Sequence, residues 1–406
     1  MQQNELIPHL FRTEFQKITA VLCKHLGIAH IEVAEDIASE TFLSALETWS
    51  YKGAPPNPIA WLYTVAKNKA KNYLNRNKIF TEKIVPQIKN DLVTEDDIDL
   101  SEENIKDSRL QMLFAICHPS IPVEAQIGLS LRILCGFGID EIATALLSNK
   151  ETINKRLFRA KEKLRDEKIK IEFPNEIEIN NRLETVLTTL YLLFNEGYYS
   201  ESNDTILRED LCLEAMRLTY LLIENEKTNQ PSVNALLGLM CFHASRFEAR
   251  KNKNGAVVLY DEQDETLWNQ ELIAKGAYFF HQSSKGNAIS KYHLEAGIAY
   301  WLTVKDNSKE KWENTLQLYD QLLQIDYSPI AALNRTYAMS KVFGNEIAIS
   351  ETQKLKLDNN HFYFTLLGEL YKDTDINRAK QNFQQAMTLA KTTTDKQIIQ
   401  AKIDSL

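Results

Sequence analysis

Thirteen glycines and ten prolines are spread over 406 residues, too little punctuation for a turn-rich all-β protein. Five cysteines (Cys23, Cys117, Cys135, Cys212 and Cys241) lie far apart, with no C-x-x-C pair. That spacing excludes a disulfide framework and points to a reducing cytoplasm. No apolar run approaches the roughly 18 residues of a membrane span. The start, Met1-Gln2-Gln3-Asn4-Glu5, has neither the basic stretch nor the apolar core of a signal peptide. A phosphate-binding glycine loop, an H-E-x-x-H pair and a twelve-position calcium loop are all missing. Cys117-His118 has no second ligand pair at zinc spacing, and reads as a buried cysteine beside a helix-ending His-Pro. The expectation is a chain with no catalytic residue, no cofactor and no metal.

What is present is ordinary globular composition, 44% hydrophobic and 25% charged, in a length that suits two or three domains. The net charge of −8 argues against a polyanion partner until its distribution is followed. Residues 1–173 carry 23 Lys+Arg against 24 Asp+Glu, and residues 174–406 carry 24 against 31. Within the neutral first part the charge is sorted into blocks. Trp61–Phe80 has five basic residues and no acid, Lys89–Asp107 has eight acids against two lysines, and Lys150–Lys170 has nine basic residues against four acids. Two cationic helices flanking an acidic linker can bind a polyanion locally; solvated faces are the alternative.

Helical periodicity dominates the chain. In 34–49 the stripe Ala38, Phe42, Ala45, Leu46 and Trp49 is apolar, and Asp36, Glu40 and Glu47 lie opposite with Leu43 beside them. An acidic face with one apolar residue suits a basic helical partner; a plain solvated face would look the same. The breaker cluster Ser50–Pro58 reads as loop. The next helix buries Leu62, Val65, Ala66 and Tyr73 and presents Thr64, Lys67, Asn68, Lys71 and Asn75, side chains suited to phosphates and base edges. Trp61, at its start, is either a base-stacking ring or core.

Residues 139–170 read as a helix-turn-helix. Ile139–Leu147 forms the first helix, and Ser148 caps the second with Glu151 three residues on. Ile153, Leu157, Ala160 and Leu164 make the packed back, so Thr152, Lys155 and Arg159 project outward, the pattern of a major-groove recognition helix. Phe158 lies off the stripe, free to touch a thymine methyl or another domain.

Glu35-Asp36-Ile37-Ala38-Ser39-Glu40-Thr41-Phe42, Asn57-Pro58-Ile59-Ala60-Trp61-Leu62 and Ala66-Lys67-Asn68, in that order, resemble the second domain of extracytoplasmic-function (ECF) sigma factors. The helix-turn-helix resembles their fourth domain. The resemblance implies an all-α fold of two small sigma domains joined by an acidic linker, with RNA polymerase core and promoter DNA as partners. Taken with the helix faces above, it assigns Asp36, Glu40, Phe42, Leu43 and Glu47 to polymerase binding. Trp61, Thr64, Lys67, Asn68 and Lys71 fall to the −10 strand, and Thr152, Lys155, Arg156 and Arg159 to the −35 duplex.

The last third repeats at 34 residues: Leu333 and Leu367, Asn334 and Gly368, Tyr337 and Tyr371, Ile349 and Phe383. Gly368, Tyr371, Ala379, Phe383 and Ala386 follow the spacing of a tetratricopeptide repeat, one residue short in the turn. Together with Phe194–Tyr198, Arg208–Cys212, Ser328–Arg335 and the 253–264 stretch, they resemble the long extension of one ECF subgroup. The implied organisation is sigma domain 2 at 1–82, linker at 83–107, sigma domain 4 at 108–173, and a tetratricopeptide-like extension at 174–406. That extension would regulate the factor and offer a protein or peptide a concave surface. A cytoplasmic initiation factor without enzymatic activity or membrane contact follows. The alternatives are a helix-turn-helix regulator that is not a sigma factor, and a repeat scaffold.

Overall fold

The computed structural model describes residues 3–84, 98–146, 148–198, 208–250, 258, 260–306 and 308–406, with side chains left out at 3–5, 12, 77–84, 145 and 394. The described residues are all-α. The chain divides into two compact units, Met1–Thr189 and Leu190–Leu406.

The first unit begins with α1 (Gln3–Leu26), α2 (Ile31–Lys52) and α3 (Pro58–Ile84). It continues through α4 (Glu102–Ile116), α5 (Val123–Leu129), α6 (Ile139–Ala145) and α7 (Lys150–Asp166), and α8 (Glu176–Tyr198) runs across the division. Six consecutive residues of α1, from Ile18 to Cys23, are fully buried. A helix apolar on one stripe has one neighbour; a helix buried all round has neighbours on every side. Here α2, α3, α4 and the π-helical turn Ser130–Leu134 all pack on α1.

Local chemistry sets the helix ends. Gly53, at φ 76°, stops α2, and Ser50–Lys52 belong to the helix, so the loop expected over Ser50–Pro58 shrinks to 53–57. Asn57 Oδ1 accepts from Ala60 N at 3.0 Å and opens α3. At α7 the cap is Asn149, whose Oδ1 accepts from Thr152 N at 2.8 Å. It is not Ser148: α6 ends at Ala145 and α7 begins at Lys150, so the turn is longer than expected and the Asn149 side chain reaches the free N–H groups. On the segment expected as linker, residues 85–97 lie outside the described residues, and 102–107 form the first turns of α4, capped by Ser101.

The second unit carries α9 (Glu209–Ile223), α10 (Pro231–Ala244), α11 (Gln270–Ser283) and α12 (Lys291–Trp301). After them come α13 (Lys309–Ile325), α14 (Pro329–Phe343), α15 (Asn345–Lys354), α16 (His361–Tyr371), α17 (Ile376–Leu389) and α18 (Thr393–Asp404). Val233 to Phe242 of α10 are buried throughout. From α12 onward each helix packs on the next. Gly368 explains one close crossing: a Cβ there would meet the Phe383 ring at 2.6 Å, so only glycine lets α16 approach α17. Leu333, Leu367, Tyr371, Ala379, Phe383 and Ala386, four of them members of the 34-residue pattern, form one buried cluster.

Candidate protein and nucleic-acid interfaces

On α2, Asp36, Glu40, Leu43 and Glu47 recur at intervals of four, three and four residues and share one exposed face. Leu43 is 54% exposed. Glu40 meets Lys69 of α3 at 3.0 Å. Two residues depart from the expected pattern. Leu46, expected in the buried stripe, is 48% exposed, and Phe42, expected to dock on a partner, is only 3% exposed. Phe42 packs edge-on to Phe11 of α1, ring centroids 5.1 Å apart, and near Phe15. The residues Ile7, Pro8, Phe11, Ser39, Phe42, Leu43 and Leu46 line an apolar groove of about 480 Å³. Phe42 is therefore its floor, Leu43 and Leu46 are its rim, and the acidic residues flank it. The α1 contribution was not legible in the α2 pattern, because the groove exists only once the two helices pair.

On α3, Leu62, Ala66 and Ala70 are fully buried, and Thr64, Asn68, Lys71 and Asn75 are exposed. Lys67 is half-buried. The Asp99 carboxylate is held below its ordinary value chiefly by hydrogen bonds from Ser101, and Lys67 and Lys24 draw it further down. The described end of the acidic stretch thus reaches the field of the cationic helix. Trp61 is half-buried, its ring edge-on to Trp49.

On α7, Ile153, Leu157, Ala160 and Leu164 are buried as the stripe required. Thr152, Lys155 and Arg159 are exposed, and Arg156 is half-buried. Lys155 pairs with Glu151 one turn back at 2.6 Å, an exposed contact of small energetic weight. Phe158, 56% exposed, lies in a cleft with Ile28, Ala29 and Ile31. It faces a neighbouring element of its own unit and does not join the buried back of α7.

Cys117, fully buried at the end of α4, has its thiol pushed up to about 11 by burial. His118 is held below its ordinary value by burial and then by Arg182, and its Nδ1 lies 2.8 Å from Ser120 Oγ. A thiol made harder to ionise is a poor nucleophile. Among the described residues no group of three His, Cys, Asp or Glu side chains is placed to hold a metal ion. None of the described helices is long and apolar enough to cross a membrane.

In the second unit the motifs around residues 194–198 and 260–264 meet. Tyr198 is buried between His243, ring centroids 4.5 Å apart, and Arg250, whose guanidinium lies 3.9 Å from the Tyr198 centroid. Arg246 stands 5.5 Å from the Tyr260 ring, and Lys311 donates to the Tyr260 hydroxyl at 2.9 Å. Asp261 accepts from the Tyr337 hydroxyl at 2.5 Å and lies 3.7 Å from Lys341 Nζ. The carboxylate belongs to a salt bridge between segments.

Residues 10–79 match the family model for sigma-70 region 2, and residues 182–284 match a family of unknown function (DUF6596). An uncharacterized protein, R00370, of Rhizobium meliloti (strain 1021) is 30% identical over 387 residues, covering 93% of this chain and 90% of that protein. An ECF RNA polymerase sigma-E factor of Haemophilus influenzae is 26% identical over 158 residues, covering 36% of this chain and 78% of that protein. No solved structure matches the chain.

Proposed function

The chain belongs to the ECF-type sigma factors that carry a C-terminal extension, and from that premise we propose that it binds RNA polymerase core and directs promoter-specific initiation. Polymerase docks on the α2 face through Asp36, Glu40, Leu43 and Glu47, with the apolar groove floored by Phe42 taking a nonpolar side chain of the partner. Acidic rim and apolar centre together suit a basic amphipathic helix. Thr152, Lys155, Arg156 and Arg159 hold the −35 duplex through the major groove. Trp61, Thr64, Lys67, Asn68 and Lys71 hold the unpaired −10 strand.

Opening is a binding event and needs no bond chemistry. Bases taken out of the stack cost a few kcal/mol each, and pockets on the protein offset that cost. The organisation is sigma domain 2, acidic linker, sigma domain 4 and a regulatory extension of tetratricopeptide-like helix pairs that recruits a protein or peptide. The protein acts in the cytoplasm, away from membranes and without a cofactor.

The observation that carries this reading is the α7 pattern. Four apolar residues of one stripe are buried while Thr152, Lys155 and Arg159 stay exposed on the opposite side. Run-off transcription with purified core polymerase tests it. The full-length chain is expected to yield a discrete promoter-dependent transcript, and retention by core without any transcript, or no retention at all, would overturn it.

A further inference from the structure

Two buried cations of the second unit stand without a carboxylate. Arg246, just past the end of α10, is 5% exposed, and Lys311, in the first turn of α13, is 3% exposed. Buried charges are ordinarily ion-paired, because taking an ion out of water is costly. Among the described residues neither cation has a carboxylate within ion-pair distance. Arg246 makes one long hydrogen bond, 3.4 Å from Nη2 to the Tyr198 hydroxyl, and its Nε has no partner. Lys311 Nζ donates to the Tyr260 hydroxyl at 2.9 Å and to the Val304 carbonyl at 2.8 Å. One of its three N–H groups is left over.

Both cations attend a single ring. The Arg246 guanidinium and the Lys311 ammonium each lie 5.5 Å from the Tyr260 centroid. Burial lowers the proton affinity of Lys311, Glu265 and Asp306 counter that from exposed positions, and Arg246 lowers it further. Trp268 stacks on the same tyrosine with ring centroids 6.4 Å apart. It is 3% exposed, and its Nε1 has no partner either. Asn269 N donates to Ser245 O at 2.8 Å, which draws the chain at Trp268 alongside the chain at Arg246. Donors from three buried side chains therefore gather at Tyr260 with no acceptor to share.

Unsatisfied buried donors mark the place of a water or an ion. A water would satisfy N–H groups and leave both charges uncompensated. The carboxylates of the adjoining segment are engaged elsewhere or face solvent. Asp261 is held by Tyr337 and Lys341, Asp264 caps the turn Glu265–Leu267, and Glu262 and Glu265 are exposed. A further carboxylate would bring a single charge. A phosphate group carries about −1.5 to −2 near neutral pH, and its oxygens accept from several directions at once. Two cations and an indole N–H match the second kind of anion.

We propose that Arg246, Lys311 and Trp268 form a phosphate site at the Tyr260 ring, for inorganic phosphate or the phosphate group of a small phosphomonoester. The bound anion ties together the stretch after α10, the 260–268 segment and the start of α13, because each contributes a donor. Nothing in the site depends on polymerase or promoter binding. It gives the extension a small-molecule ligand.

Calorimetry and phosphorus NMR line broadening of inorganic phosphate with the full-length chain, in a phosphate-free buffer at fixed ionic strength, test the site. Saturable binding is expected, weakened about tenfold or more by Arg246→Met and by Lys311→Met, the scale of losing a charge-assisted hydrogen bond. Lys341→Met, which removes an exposed lysine 4.9 Å from the Tyr337 ring, should bind as the wild type does. Phosphate should raise the melting temperature of the wild type and not that of Arg246→Met. A rise shared by both is a general salt effect and counts against the site. Trp268→Phe removes only an unpartnered N–H; it should weaken binding severalfold and serves where the methionine variants fail to fold. Glycerol phosphate binding tighter than inorganic phosphate assigns the site to phosphomonoesters, and weaker binding assigns it to the free ion; both support it. No saturable binding by the folded wild type, unchanged binding in Arg246→Met, Lys311→Met and Trp268→Phe, or acetate binding as tightly as phosphate overturns it.

Discussion

Trp61 stands edge-on to Trp49, ring centroids 5.3 Å apart at an interplanar angle of 63°. The first residue of the α3 motif is therefore tied to the last buried residue of α2, and the loop 53–57 is strapped at both ends. One ring edge serves the fold and the half-buried remainder stays available to a base. Trp61→Ala should cost about 2 kcal/mol of stability in urea unfolding of the full-length chain, the scale of truncating a partly buried aromatic. Trp61→Phe should keep most of that stability while weakening capture of a single-stranded −10 oligonucleotide. Full capture by the Phe variant assigns the ring to the fold alone.

Charge reversal on the α2 face separates docking from folding. Asp36→Lys with Glu40→Lys should abolish co-purification with core polymerase. The melting transition should move little, because both side chains are exposed, and the Glu40–Lys69 pair is a surface contact worth about 1 kcal/mol or less. Undiminished co-purification of the double variant refutes this face as the docking surface.

The α7 front can be read by salt dependence. If Arg159 reads a base edge, Arg159→Ala should cost about 1–3 kcal/mol and relax specificity at one position. If it holds phosphate, binding should fall for all sequences and the salt slope should drop by about one. Lys155→Ala is expected to follow the phosphate pattern, since Lys155 lies within reach of Glu151 and presents a point charge. Titrations over a salt series on matched and scrambled duplexes discriminate the two; no change in either variant removes the helix from the interface.

Glu295 makes the second unit pH-sensitive. Burial pushes its carboxyl up to about 7 from an ordinary 4.5, although Tyr191 donates to it at 3.1 Å. The folded state therefore binds a proton more tightly than the unfolded chain does. The stabilisation is complete below about pH 4.5 and is lost as pH rises through about 7, roughly 3 kcal/mol. Glu295→Gln should flatten the stability profile between pH 5 and 8, and an unchanged slope in that variant refutes the assignment.

The division between the units decides where the extension can be removed. Arg182 of α8 donates to the Phe114 carbonyl, and Thr189 Oγ1 donates to Gln126 Oε1 at 2.7 Å, both within the first unit. A chain ending at 173 lacks these contacts, whereas one ending at 198 keeps them. The shorter chain should melt at lower temperature than the longer one. Promoter output from residues 1–198 against the full chain then reports on the extension itself. A loss with core binding retained marks a positive role, a rise marks masking, and equality leaves the extension without influence on output.

Within single helices, sequence was a sufficient guide. The buried stripe Ile153, Leu157, Ala160 and Leu164, the exposed Thr152, Lys155 and Arg159, and the α2 face of Asp36, Glu40, Leu43 and Glu47 follow from a 3.6-residue period. Periodicity also showed the 34-residue spacing, whose Leu333, Leu367, Tyr371 and Phe383 share one core. What it left undecided is how many neighbours a helix has. Leu46 faces solvent, Phe42 floors a groove, Glu35 is buried among acids that are exposed, and the Ile18–Cys23 run has no open side. A period places a residue on a face of its own helix, but contacts between residues 35 and 132, or 16 and 135, come from packing of segments about a hundred residues apart. That packing, and with it the single compact first unit, was decided by tertiary structure alone, because burial is settled by what lies opposite a side chain and no local pattern encodes that.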